Sequence, residues 1–191
     1  MNRMTTAVAA ALSLALLAGC ASFPKDLTIT PRLEQPPAGK ALVNFHRPSK
    51  WGGAERFAIF SGDGAVLVDL PGAAQFQHVC DPGEHLFLAW ADQASVVKAE
   101  LEAGKVYDIM VDISMGWVRG NIKLIPLAKD DDRRARLGEF EKRERVVSQS
   151  RTAHLSEYEQ KNKGRIEEIK QDFLSGEKSD RVSVLRKEDC R

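Results

Sequence analysis

The chain has 191 residues, of which 28 are Lys or Arg and 27 are Asp or Glu, for a formal net charge of +1. That balance argues against a nucleic-acid binder working through a strongly basic surface, and against a long acidic solvating segment. With 43% hydrophobic and 29% charged residues, the length fits one globular domain plus additional segments.

In chain order, Arg3 is the only charge before an apolar run from Ala7 to Leu17, broken only by Ser13. This run has the length of a signal-peptide core and is shorter than the roughly 20 apolar residues of a membrane-spanning helix. It ends in Leu17-Ala18-Gly19-Cys20. These four residues resemble the lipobox of bacterial lipoproteins. The resemblance implies cleavage between Gly19 and Cys20, a diacylglyceryl thioether on Cys20, and acylation (palmitate-like) of the new amine. Several acyl chains anchor stably where one does not. Ala21 and Ser22 follow Cys20 where an Asp would favour inner-membrane retention, so the same resemblance implies the periplasmic face of the outer membrane. Residues 1–19 are thus expected to be a cleaved signal peptide. Residues 20–39 hold Pro24, Pro31, Pro36 and Pro37, which exclude a regular helix. They are expected to form an extended tether, reaching about 50 Å at roughly 3.1 Å per residue.

From residue 40 to 127 the pattern is short apolar runs with turn punctuation. Strands are expected at 41–46, 57–60, 65–70, 75–80, 85–91, 95–101, 106–113 and 117–126, with 86–90 and 106–111 the most buried. Eight strands at such spacing predict a mainly β fold, an antiparallel sandwich in preference to a small barrel. Arg47-Pro48 is expected to end an edge strand. Asp81-Pro82-Gly83-Glu84 is expected to close a hairpin, with His78 and Cys80 on one face of the incoming strand. Gly104-Lys105 is read as a turn, and Tyr107 as an anchor whose hydroxyl finds a backbone partner. The ordered series Phe45-His46-Arg47-Pro48, Asp81-Pro82-Gly83-Glu84-His85 and Ala103-Gly104-Lys105-Val106-Tyr107 resembles a family of small bacterial lipoproteins built on a domain of unknown function. That resemblance implies a prealbumin-like sandwich and no catalytic residues.

Candidate chemistry is sparse. His78, Cys80 and His85 are metal-ligand types that a hairpin would bring together, but no fourth ligand is evident, so no metal or other cofactor is expected. A hydrolase or metal-dependent envelope enzyme using His78 and His85 is the alternative reading. Cys80 and Cys190 are the thiols left once Cys20 is lipidated. They could form a disulfide in an oxidising compartment, or stay as a buried small hydrophobe and a free thiol, the second being favoured. Asp108 and Asp112 read as solvated, and His46 and His154 stand in no motif. No nucleophile elbow, Walker A motif or dinucleotide fingerprint is present, so a non-enzyme is expected.

Residues 128–191 carry 17 basic and 15 acidic side chains, against 8 and 10 in 40–127, which marks a composition boundary. A first helix is expected over 133–148, with Asp130, Asp131 and Asp132 complementing its dipole. Leu155, Tyr158, Asn162, Ile166, Ile169 and Phe173 then recur at helical spacing as an amphipathic stripe, with Glu157–Lys161 and Glu159–Lys163 as supporting pairs. The stripe either folds back on the sandwich, the favoured reading, or docks on another envelope protein through Leu155, Tyr158, Ile166, Ile169 and Phe173. Val182–Leu185 reads as a last short strand or docking segment, and the final residues as loosely ordered. Together these features predict a lipid-anchored, non-enzymatic binding or structural module of the cell envelope. Its partners would be membrane lipid through Cys20 and possible envelope proteins, not nucleic acid, and Trp51 in the 49–55 loop is a further candidate contact.

Overall fold

A computed structural model describes residues 26–50, 56–115 and 120–191. Gly19, Cys20 and Trp51, and with them the expected signal cleavage, lipidation and loop contact, lie outside the described residues. The described chain is mainly β. Its strands are β1 (Leu27–Ile29), β2 (Ala41–Arg47), β3 (Phe57–Ser61), β4 (Val66–Leu70), β5 (Ala74–Cys80), β6 (Gly83–Trp90), β7 (Ala94–Leu101), β8 (Val106–Met115), β9 (Gly120–Pro126), β10 (Arg145–Gln149) and β11 (Ser183–Leu185). Its helices are α1 (Leu137–Arg143) and α2 (Ala153–Leu174). None of the described helices is long and apolar enough to cross a membrane.

All eight strands expected from alternation and turn residues are present, within a few residues at each end. They form two sheets. Sheet A has the order β1-β10-β5-β2-β8-β9, and sheet B the order β11-β7-β6-β3-β4. Alternate residues of both sheets point into one common core. Val43, Phe45, Tyr107 and Ile109 come from sheet A, and Ile59, Val68, Phe87 and Val97 from sheet B. Phe45 packs edge-on against Phe87 with ring centroids 5.2 Å apart, tying the two sheets together.

The connectivity differs from the expected antiparallel arrangement. β2–β8, β5–β10 and β7–β11 are parallel pairs. Each pair is joined by dozens of residues that cross the fold, which is the length that parallel pairing requires. Asp81–Glu84 does not close a hairpin either: β5 belongs to sheet A and β6 to sheet B. Pro82 has no N–H to offer a ladder, and Gly83 at φ 121° turns the chain out of the first sheet. Arg47-Pro48 does end a strand, but β2 is interior, between β5 and β8. All seven β2 residues are buried because both of its faces are covered.

The two flanking segments also depart from expectation. Residues 26–40 are docked to the fold and do not act as a free tether. Leu27 is buried, β1 pairs with β10, Asp26 pairs with Arg56 at 3.1 Å, and the Leu33 backbone exchanges hydrogen bonds with the Gln77 amide. The tether expected at 20–39 therefore shortens by more than half. The charged extension contributes β10 to sheet A and β11 to sheet B, so the composition change near residue 128 is no boundary in the fold. The first helix stops at Arg143, and 145–149 is a strand, because Val146 and Val147 bury better in a sheet beside β5. Asp131 does cap the 3-10 turn Asp132–Arg136, accepting from the Arg133 N–H at 2.9 Å.

Candidate functional site

The outer face of sheet A carries a polar row, and that row is covered. On β2, Asn44 and His46 point away from the core. Gln75 does so from β5 and Asp108 from β8, and all four are buried. The segment from Leu127 to Glu144 lies over this row. His46 sits between two carboxylates, with Nε2 3.0 Å from Asp108 Oδ1 and Nδ1 2.9 Å from Glu144 Oε2. The His46 and both carboxylate side chains have 0% exposure. A neutral imidazole can donate from only one nitrogen, so two carboxylate partners favour the imidazolium. Burial pulls the His46 pKa down, but the hydrogen bonds and charges of Asp108 and Glu144 outweigh it and hold it above the ordinary value.

Asp108 is the hub of the row. It accepts from Asn44 Nδ2 at 3.1 Å and from Arg191, whose Nε and Nη2 each approach at 2.7 Å, and Arg134 stands 3.5 Å away. Burial pushes the Asp108 carboxyl up, but bonding to His46 and Arg191 reverses this and holds it well below the usual carboxylate range. Arg134 also donates to the carbonyls of Leu127, Ala128 and Asp189. Glu141 pairs with Arg191 at 2.5 Å and with Arg32 at 3.5 Å. Reading Asp108 as solvated was wrong, although Asp112 is exposed. The signal was present in the sequence: a carboxylate inside the apolar run 106–111 must be paired if that run is buried. Glu144 and Arg191 carried no such signal, because only the fold brings them to β2 and β8.

The final residues are not loose. The Arg191 N–H bonds the Val106 carbonyl at 2.9 Å, below the point where Leu127 bonds Asp108 on the same side of β8. Asp189 is buried, accepting from the backbone N–H groups of Arg186 at 2.9 Å and Lys129 at 3.2 Å. This position separates the two thiols. Cys80 lies on β5, and β2 and β8 intervene before the Arg191 segment. Three strand spacings put Cys190 on the order of 14 Å away, beyond the roughly 7 Å Cα separation a disulfide spans. Both thiols are free, Cys80 buried and Cys190 half-buried. Tyr107 behaves as expected: it is buried, accepts from the Glu102 N–H at 3.0 Å and donates to the Lys187 carbonyl at 3.3 Å.

The expected stripe on α2 is spent on its own fold. Leu155, Ile166, Ile169 and Phe173 are buried against Phe60, Val66, Leu88 and Val96 of sheet B, so these four are not available to an external partner. Tyr158 stacks on Phe60 with ring centroids 6.0 Å apart and remains partly exposed. Asn162 leaves the seam to donate from its side chain to the Tyr158 carbonyl at 2.7 Å. Glu159 meets Arg151 and the Val66 N–H, not Lys163.

His78 and His85 do come near one another, at the mouth between the sheets where β5 passes into β6. Both flank the Phe87 ring, at 6.0 and 6.1 Å, and both line a cleft of about 850 Å³. Leu67, Leu86 and Val184 make its walls, with Glu84, Lys98 and Arg186 among the charged residues lining it. Burial and the nearby His85 lower the His78 pKa to about 4. His85 Nε2 lies 2.8 Å from the Asp81 carbonyl and so donates to it. Cys80 is not part of the cleft lining, and its thiol is pushed up to about 11 by burial. Among the described residues no group of three or more His, Cys, Asp or Glu side chains is arranged to hold a metal ion. Compared with known proteins, the chain matches no family model, no curated protein and no solved structure.

Proposed function

We propose that this protein is a lipid-anchored, non-enzymatic binding or structural module of the bacterial cell envelope, facing the periplasm from the outer membrane. The observation that carries this reading is Leu17-Ala18-Gly19-Cys20 at the end of a signal-peptide-length apolar run. Asp26, six residues after Cys20, is already docked on the fold, so the anchor would hold the domain near the bilayer, at most about 20 Å away at roughly 3.3 Å per residue of reach. A sandwich of the prealbumin-like type fits the motif resemblance, though the three parallel pairs depart from an all-antiparallel form.

Two features favour binding over catalysis. At the centre of the densest set of ionisable groups, His46, Asp108 and Glu144 are fully buried, and both ring nitrogens are already committed to carboxylates. The other pair, His78 and His85, lines a cleft of ligand size, but a His78 imidazole with its pKa near 4 is a weak base at neutral pH. The cleft is therefore read as the ligand site and the buried row as the brace that keeps its scaffold rigid. The test is metabolic labelling with an alkyne palmitate analogue in a bacterial host. The reading expects label and membrane fractionation in the wild type and loss of both in Cys20→Ser. An unlabelled, soluble wild type would overturn it.

A further inference from the structure

We propose that Leu127–Glu144 is an electrostatically held cover over the polar row of sheet A, and that it opens as a unit while both sheets stay folded. Little apolar surface holds it down. The 3-10 turn buries no residue and α1 fully buries only Leu137, which joins Met110 and Leu127 in a small cluster with Ile125 and Phe140 partly buried against it. By contrast α2 buries four large side chains on sheet B. A seven-residue helix has no stability of its own in water, and Gly138 inside α1 weakens it further. What remains is mostly charge, with Glu144 on His46, Arg134 on Asp108, and Glu141 on Arg32 and Arg191, beside a few hydrogen bonds at Leu127, Lys129 and the Glu141 carbonyl. Segments with few buried apolar contacts open below the global unfolding free energy.

Opening would uncover the Nδ1 side of His46, while Arg191 stays on Asp108, Arg32 on Gln75 and Gln77 on Asn44. Buried polar atoms already stand without partners at this seam, at Gln75 Nε2 and Glu144 Oε1. Such atoms weaken the closed state relative to a fully satisfied interface.

The hold depends on pH through every group facing His46. These are Asp108 from β8, Glu144, Glu141 and Arg134 from the cover, Arg191, and Arg32 from the N-terminal segment, while Asn44 and Gln75 are neutral. The His46 pKa is raised, so its contribution is complete below the unfolded value of about 6.5 and is lost as pH rises through the folded value. The Asp108 pKa is lowered by His46 and Arg191, which lie outside the cover, so its contribution belongs to the whole fold: complete above the unfolded value of about 3.9 and lost as pH falls through the folded value. The grip of Glu144 on His46 is therefore complete below about pH 6.5 and weakens as pH rises through the folded His46 value.

Amide hydrogen exchange on the full chain, corrected for intrinsic rates, tests this. At pH 5.5 the amides of α1 are expected to be at least tenfold less protected than those of β2 and β8. In Glu144→Gln the α1 amides should lose a further threefold or more, and in the wild type their protection should fall only weakly with sub-denaturing urea while that of β2 and β8 falls with the global m-value. Should Glu144→Gln fail to fold, the wild-type urea comparison decides alone. Protection of α1 that equals that of β2 and β8 and moves only in step with them would overturn the proposal.

Discussion

Removing the His46 ring exposes the physics of the buried row most sharply. In His46→Leu, Glu144 loses the only hydrogen-bond partner its side chain has among the described residues, and its carboxylate has no exposure to water. Breaking a buried ion pair by deleting one member costs about 4 kcal/mol, because the other charge is left uncompensated. Glu144→Leu is milder. His46 keeps Asp108 and can shed the Nδ1 proton, which sets the cost near 2 kcal/mol. The double variant leaves no stranded charge there, because Asp108 retains Asn44, Arg191 and Arg134. Its cost should be about 3 kcal/mol, well short of the roughly 6 kcal/mol of an additive pair. Urea unfolding at pH 5.5, followed by far-ultraviolet circular dichroism, gives the three values. Additivity within about 0.5 kcal/mol would refute the claim that His46 and Glu144 act as one buried unit.

Three other outcomes follow from the same packing and hydrogen bonds. Gly164 lies mid-helix in α2 with open space where a Cβ would stand. Gly164→Ala should raise stability by about 1 kcal/mol in the same urea assay, and a loss would show that α2 is not helical there. Tyr107→Phe removes the acceptor for Glu102 N–H and the donor to Lys187, and should cost about 1 kcal/mol, with no change in the urea m-value. In a Cys20→Ser background at pH 8, Cys190 should react readily with a disulfide reagent. Cys80, buried with its thiol pushed up to about 11, should react only after unfolding. Two equally fast thiols would contradict the burial of Cys80.

Much of the two-sheet frame was legible in the sequence. The alternation in Ala65–Leu70 and Gln75–Cys80, and the glycines at 64, 83 and 104 with positive φ, mark strands and turns by local chemistry alone. Partner choice was not legible. Asp81-Pro82-Gly83 reads equally well as a hairpin turn or as a passage between sheets, because the turn chemistry is the same and only the sheet assignment differs. β1 and β10 escaped because Leu27–Ile29 and Arg145–Gln149 are too short and polar to show a period. The α2 stripe was readable as amphipathic, but its spacing carries no information about which surface it covers. The brace around Asp108 was half readable. A charge in a buried run demands partners, yet Glu144 and Arg191, 36 and 83 residues further on, are invisible as partners until the chain is folded.

Truncation after Leu127 tests most directly the central claim that the charged extension is part of the domain. Removing 128–191 deletes β10, β11 and α2, together with Glu144, Arg134 and Arg191. The four large α2 side chains buried on sheet B alone represent roughly 6–12 kcal/mol at about 1.5–3 kcal/mol each. That is comparable to the whole stability of a typical domain, about 5–15 kcal/mol. The account predicts that the truncated chain shows no cooperative urea transition and binds a hydrophobic dye. A cooperative transition at the wild-type midpoint would contradict it and restore 40–127 as a self-sufficient domain.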